Sequence, residues 1–227
     1  MRVKWGLIAA FVAIALCVSA GPADAVVMVL DFEGLADQEP VANFYSGGTG
    51  GSGSGPGPNF GIGFSANSLA LIDVDAGGSG NFGGEPSPDT ILFFMGGTAA
   101  TMNVAAGFST GFSFFYTAIN NPGSVTVYSG VNATGAILAT LPLPLTPYNG
   151  APDPNGTHSP LVPIGVAFTG VAMSVDFAGV IAQIGFDDVT FGSETPGNGV
   201  IPEPATLTLL GIGLAGLGLN RLRRKKR

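Results

Sequence analysis

Short apolar segments alternate with turns rich in Gly and Pro along residues 26–199. The alternation is clearest where Val171, Met173, Val175 and Phe177 share one face of the chain and the residues between them share the other. Because side chains alternate across a strand, this period of two predicts a half-buried antiparallel strand. Strands are predicted at residues 26–33, 61–65, 68–74, 90–95, 100–104, 109–117, 124–129, 136–141, 161–168, 171–177 and 181–191.

These segments predict the fold class of residues 26–199, which we call the body of the chain. No stretch within residues 26–199 has the period of an amphipathic helix, and the spacing does not fit strand-helix-strand units. Many short strands joined by turns predict an all-β fold, an antiparallel β-sandwich of jelly-roll type. Disorder is the alternative that the Gly and Pro content raises, but apolar segments recurring at strand intervals argue against it.

Two loops interrupt the strand pattern. Residues 46–58 are almost pure Gly, Ser and Pro, which predicts a flexible surface loop. Residues 146–160 are rich in Pro, Asn and Asp and carry Tyr148 and His158.

The N-terminus has the three parts of a secretory signal peptide. Arg2 and Lys4 precede an apolar run at residues 5–18, and Ala23-Asp24-Ala25 forms a small-x-small cleavage site. We therefore predict that residues 1–25 are removed by signal peptidase. Cys17, the single cysteine, is lost with them, so the exported body has neither a disulfide nor thiol chemistry.

Charge is distributed very unevenly along the chain. All eight Lys and Arg residues lie at the two ends, whereas all but two of the 15 acids, Asp24 and Glu203, lie between residues 26 and 199. A phosphate backbone needs Lys and Arg to neutralise it, so this composition disfavours nucleic acid as a partner.

Residues 200–227 form a three-part tail. Pro202, Glu203 and Pro204 are followed by an apolar run at residues 205–219 and then by a basic end. The run predicts a hydrophobic helix that crosses the membrane, with the basic end in the cytoplasm and the body outside. An ordinary tail anchor is the alternative. The basic cluster that would stop transfer comprises Arg221, Arg223, Arg224, Lys225, Lys226 and Arg227.

This tail resembles the PEP-CTERM sorting signal, because the Pro-Glu-Pro motif at residues 202–204, the apolar run and the basic end occur in that order. It departs only at Ile201, where Val is commonest. The resemblance implies an exported Gram-negative protein: a precursor anchored in the inner membrane, processed by an exosortase, then placed at the cell surface or in the extracellular matrix. It also implies association with exopolysaccharide and biofilm, but it does not cover residues 26–199, the predicted sandwich domain.

The body lacks the residue sets of common enzymes. A Ser-His-Asp triad would need His158, the single histidine, which lies in a Pro-rich loop, and no serine lies in a G-x-S-x-G motif. Asp187 and Asp188 are neighbours on a predicted strand, so they point to opposite faces and cannot flank one glycosidic bond. We therefore predict that the protein is not an enzyme.

Calcium is the cofactor that an acidic body without Lys or Arg favours. Apolar residues change phase at Asp187 and Asp188, which predicts a β-bulge there, and the first strand carries Asp31 and Glu33. These two segments look similar to the terminal strands of jelly-roll carbohydrate-binding modules, which often hold a structural calcium. The four acids are thus the predicted metal ligands, and the alternative is that they face solvent.

The predicted function is that of a non-catalytic surface or matrix protein, with a carbohydrate-binding module for exopolysaccharide as the alternative. Sugar-binding sandwiches stack rings on exposed aromatic side chains. After loss of the signal peptide the chain has no Trp and four Tyr, of which only Tyr45 and Tyr148 lie near loops. Tyr148 is the predicted glycan contact.

Overall fold

Antiparallel pairing joins all nine strands that the described residues form. The computed structural model describes residues 27–146, 148 and 156–197. The strands pair in the order β3-β4-β9-β5-β8-β6-β7, with β1 on β9 and β2 on β5. They are β1 (Met28–Leu30), β2 (Ile62–Phe64), β3 (Ser68–Ile72), β4 (Thr90–Phe94), β5 (Ala99–Thr117), β6 (Gly123–Gly130), β7 (Thr134–Leu143), β8 (Val162–Ala178) and β9 (Gly185–Phe191). The all-β, antiparallel prediction is confirmed.

Two long strands replace four of the predicted short ones. β5 covers the predicted segments 100–104 and 109–117, and β8 covers most of 161–168 and all of 171–177. Glycines that mark turns in the sequence lie instead within these strands, where Gly107 has a φ of 74° and Gly170 a φ of 102°. The register between β5 and β8 shifts around Phe108, so the strands bend at bulges without ending.

The bends fold the sheet into two packed layers. The first part of β5 pairs with the last part of β8, whereas residues 112–117 of β5 pair with β9 on one side and, as far as Tyr116, with the first part of β8 on the other. Phe177 of β8 nevertheless lies 4.9 Å from Phe186 of β9 and 6.0 Å from Phe114 of β5, measured between ring centroids. Because β8 does not pair with β9, these rings meet across the layers, and the predicted sandwich is confirmed.

A second, smaller hydrophobic cluster lies on the outer face of the layer that contains β3, β4 and β9. Leu92 of β4 pairs with Phe186 of β9, and both point into the main core. The neighbouring Ile91 therefore points outward, where it packs with Phe82 and Leu161 from the covering loops. This covered outer face positions the candidate site.

The Gly-rich loop 46–58 is attached to the body, which corrects the prediction that it is a flexible excursion. Glu39 is fully buried, and its carboxylate accepts hydrogen bonds from the backbone N–H groups of Ser52 at 2.7 Å and Ser54 at 3.1 Å. Glycine is needed for the close fit, since a Cβ at Gly57 would lie 2.5 Å from the carbonyl oxygen of Phe44. Small residues here serve packing as well as turning.

The predicted signal peptide and C-terminal membrane helix lie outside the described residues. Within the ranges that the structure describes, no helix has the length and apolar character needed to cross a bilayer.

Candidate functional site

A β-bulge in β9 places the two adjacent acids differently. Ser113 of β5 pairs with Thr190, and Phe115, two residues later, pairs with Asp187, three residues away on β9. The extra residue confirms the bulge predicted from the change of phase. Asp188 takes a φ of 46°, which turns it out of the regular alternation.

Asp187 is completely buried on the outer face and is held by Ser87. The hydroxyl of Ser87 lies 2.8 Å from both carboxyl oxygens, and its backbone N–H donates to Oδ2 at 3.1 Å. Burial raises the pKa of Asp187 to about 8, with a further rise from the charge of Asp188, against the lowering effect of these hydrogen bonds. At neutral pH this carboxyl therefore keeps its proton.

Asp31 and Tyr45 lie beside this acid pair. The Tyr45 hydroxyl accepts a hydrogen bond from the N–H of Phe32 at 2.6 Å and donates to Oδ1 of Asp31 at 3.3 Å. Burial, followed by the charge of Asp31, raises the pKa of Tyr45 well above its usual value. Burial and the same negative charge raise the pKa of Asp188. Three of the predicted ligands thus belong to one electrostatic neighbourhood.

Glu33, the fourth predicted ligand, is directed toward β4. Its Oε1 accepts the N–H groups of Asp89 at 2.9 Å and Thr90 at 2.8 Å, and its Oε2 accepts the Thr90 hydroxyl at 3.1 Å. These bonds fix the start of β4. Among the described residues, no three His, Cys, Asp or Glu side chains form a group arranged to hold a metal ion.

A partly open cavity of about 290 Å³ lies on the same outer face, close to the start of β9. We call it the outer-face cavity. Its apolar lining includes Leu71, Phe82, Ile91, Phe93 and Met95. Leu71, Ile91 and Phe93 belong to β3 and β4 and Phe82 to the covering loop, whereas Met95 is 52% exposed at the edge.

Two buried polar atoms in this lining have no hydrogen-bond partner among the described residues, namely Oγ1 of Thr117 and Nε2 of His158. Nδ1 of His158 lies 3.2 Å from the carbonyl oxygen of Asn81. Because a carbonyl oxygen only accepts, Nδ1 carries the proton in this hydrogen bond, which leaves Nε2 as the acceptor atom of the ring. The lining of the cavity therefore includes one residue with an unpartnered hydroxyl and one with an unpartnered acceptor.

Tyr148, the predicted glycan contact, is 61% exposed and does not line this cavity. His158, which the sequence marks only as a loop histidine, does line it. Ser87 and Thr117 carry no signal in the sequence, since a serine in a turn and a threonine in a strand are both commonplace. Their importance depends on contacts with residues 100 and 68 positions away, Asp187 and Gly185 respectively.

The tail supplies the decisive comparison with known proteins. Residues 200–225 match the PEP-CTERM protein-sorting motif. The chain carries a PEP-CTERM sorting signal. The resemblance drawn from Pro202, Glu203 and Pro204 is therefore confirmed, and this signal supports an exported protein. These three residues and the basic cluster lie outside the described residues. No curated protein matches the chain at a significant level.

Three solved structures that are similar to the chain share less than 20% of its sequence. A family 43 arabinoxylan arabinofuranohydrolase from Bacillus subtilis has 18% identity and a TM-score of 0.37, over 57% of this chain and 25% of that chain. A carbohydrate-binding module of Cellvibrio mixtus lichenase 5A has 10% identity and a TM-score of 0.34, over 56% and 88%. The K1 cleaved adhesin domain of Porphyromonas gingivalis Lys-gingipain has 14% identity and a TM-score of 0.32, over 56% and 90%. None of these similarities supports an inference about what the present chain binds.

Proposed function

We propose that this chain is a surface or matrix protein of a Gram-negative bacterium, processed by an exosortase and associated with extracellular polysaccharide. The match of residues 200–225 to the PEP-CTERM motif is the observation that carries the proposal. The distribution of charge supports it, because the terminal basic cluster holds one end in the cytoplasm while the acidic body is exported. The inner membrane holds the precursor until the tail is processed.

The tail is built to be presented to a processing enzyme. Pro202 and Pro204 lack backbone N–H groups and disfavour the helical conformation of the residue before each of them, so the sequence of the motif disfavours both a helix and a strand ladder. Glu203, which lies between them, is the one charged residue within residues 200–219.

Processing is tested by replacing Glu203 with Ala and, separately, by deleting residues 221–227. We expect both variants to be exported normally, because the signal peptide acts first, and to accumulate as unprocessed protein in the membrane. Cell fractionation with intact-mass measurement gives the result. Glu194→Ala is the matched control, since Glu194 is an exposed acid that lies before the tail. Normal release of both tail variants would contradict the proposal.

We further propose that the sandwich is not catalytic. Asp187 is fully buried, and its carboxyl group is hydrogen-bonded to the hydroxyl and the backbone N–H of Ser87. His158 uses Nδ1 on a backbone carbonyl rather than on a carboxylate, so it lacks the orienting partner of a catalytic triad. Incubation with soluble polysaccharides should release no reducing ends.

A carbohydrate-binding module is the second candidate function. The outer-face cavity favours it, because the cavity combines an apolar lining with neutral hydrogen-bonding groups.

A further inference from the structure

We propose that the outer-face cavity binds one neutral pyranose unit of a saccharide. The inference assigns a ligand class and a location to the proposed association with polysaccharide, and it rests on that proposal for the biological source of the sugar. The site differs from the predicted Tyr148 contact and from the acid pair in β9.

The shape of the cavity fits a single small ring. Its volume of about 290 Å³ lies at the lower end of the range of ligand pockets. Ile91 and Phe93 of β4 form its floor beside Leu71 of β3, and Phe82 closes it from the covering loop. A pyranose ring has an apolar face of C–H groups that packs against such a surface, while Met95, half exposed at the edge, leaves room for the chain to continue outward.

The two buried polar atoms explain why the ligand should carry hydroxyl groups. Thr117 is only 1% exposed, and its Oγ1 has no partner among the described residues. A buried polar group without a hydrogen bond costs about 1–3 kcal/mol, and native proteins keep few of them. Sugar hydroxyl groups that reach these two side chains can satisfy both atoms, because a hydroxyl donates to Nε2 of His158 and either donates to or accepts from Oγ1 of Thr117.

Charge selects a neutral sugar over an acidic one. None of the described residues that line the cavity is charged; its remaining polar groups include the amides of Gln38 and Gln183. The exported body has acids but no Lys or Arg, so its field repels uronic acids and phosphate. A neutral hydroxylated ring therefore satisfies the cavity without an unpaired charge.

The test uses the full-length chain, labelled with nitrogen-15, in a detergent without a sugar head group. The probes are methyl glycosides of glucose, galactose and mannose, with glucuronate as the charged counterpart. We expect at least one neutral glycoside to shift the amide signals of Thr117, Gly185 and Met95 saturably, and glucuronate not to do so. Absence of any saturable shift, or equal shifts with glucuronate, would overturn the assignment.

Thr117→Val separates a ligand-binding role from a structural one. The substitution keeps the shape but removes the hydroxyl, so binding should weaken about tenfold while the melting temperature stays unchanged or rises. Thr140→Val makes the same chemical change at an exposed position of β7 and should leave binding unchanged. Unchanged affinity in Thr117→Val, or loss of binding in Tyr148→Ala, would overturn the cavity as the site. Glycoside binding is measured without reference to tail processing, so failure of this inference and failure of the sorting proposal are distinguishable.

Discussion

Ser87 and Asp187 form a closed hydrogen-bonded pair in which the serine hydroxyl lies 2.8 Å from each oxygen of the carboxyl group. The same hydroxyl lies 3.2 Å from the backbone carbonyl oxygen of Asp31. When Asp187 is protonated, its O–H donates to Ser87 and the Ser87 O–H donates to Asp31, so each donor has an acceptor. This chain of hydrogen bonds lets β9 carry an acid inside the protein and links it to the segment after β1.

Ser87→Ala is expected to destabilise the fold by about 1–3 kcal/mol, because it leaves the buried carboxyl group without its hydroxyl partner. Urea unfolding monitored by circular dichroism measures the change. Ser109→Ala removes a hydroxyl at an exposed position and should change stability by less than about 0.5 kcal/mol. Equal losses in the two variants would show that the Ser87 contact has no special weight.

Stability should fall as the pH rises from acidic to mildly alkaline values. The pKa of Asp187 is raised from 3.8 to about 8, so the folded protein keeps a proton that the unfolded chain releases. Its contribution is fully present below pH 3.8 and is lost as the pH approaches 8, by up to about 1.4 kcal/mol per pH unit. Urea unfolding across this range measures the slope.

Asp187→Asn is the matched variant for this pH dependence. An amide is neutral at every pH, so the slope should flatten even where the absolute stability is lower. Asp75→Asn, at an exposed acid of a turn, should retain the wild-type slope. A wild-type slope in Asp187→Asn would assign the titration to another group.

Glu39→Gln should loosen the Gly-rich loop 46–58. Burial alone raises the pKa of Glu39, but hydrogen bonds from Ala36, Ser52 and Ser54 outweigh it and hold the pKa below 4.5, so the ionised form is the one that is bound. The amide of Gln has one oxygen and no charge: its oxygen can keep the bonds from Ser52 and Ser54, which both go to Oε1, but only as weaker, neutral bonds, and its nitrogen cannot accept the N–H of Ala36. We therefore expect a loss of about 2 kcal/mol with faster proteolytic cleavage in the loop. Glu194→Gln, at an exposed glutamate, should change neither measurement.

Monovalent salt should stabilise the body. Its acids are not balanced by Lys or Arg, and screening over about 10 Å at 0.1 M ionic strength weakens their repulsion. We expect sodium chloride to raise the melting temperature by about 2–4 °C, which corresponds to about 1 kcal/mol for a domain of this size. No change between low salt and 0.1 M would show that the charges are too far apart to matter.

The proposed structural calcium is tested in the same experiment. Glu33 and Asp187 accept hydrogen bonds through both carboxyl oxygens, whereas Asp31 accepts them through Oδ1, which leaves Oδ2 of Asp31 and the carboxylate of Asp188 as the first ligands available. A bound calcium should raise the melting temperature further than sodium chloride or magnesium chloride does at matched ionic strength. At 100 times its dissociation constant, calcium adds about 2.7 kcal/mol to the free energy of unfolding. Asp188→Asn should remove this excess. Equal shifts in all three salts would reduce the effect to screening.

The strand prediction succeeded for several segments with local alternation, was too long at 26–33 and 181–191, where β1 and β9 are shorter, and was wrong where a glycine had two possible roles. Segments 68–74 and 90–95 closely match β3 and β4. Gly107 and Gly170 fall in gaps between predicted strands, but in the structure both lie at bends of continuous strands. Glycine permits both conformations, and the choice depends on partner strands that the local sequence does not reveal.

The candidate site was only partly predictable for the same reason. The change of phase at Asp187 and Asp188 predicted the bulge correctly, because the period of two is a property of neighbouring residues. The roles of Ser87, Thr117 and Glu39 arise from long-range contacts, and no local pattern distinguishes a buried serine or threonine from an exposed one.

The sequence by itself determined the export route and the fold class of this protein, through a tail that matches a linear motif, basic residues confined to the ends, and alternating segments that specify antiparallel strands. Each of these depends on residues that are close together in the chain. Only the tertiary structure decided that Asp187 is buried and protonated, that Glu33 is directed to β4, and that Thr117 and His158 line one cavity. Burial and hydrogen bonding are set by which distant segments pack together, and they determine what a side chain can do chemically.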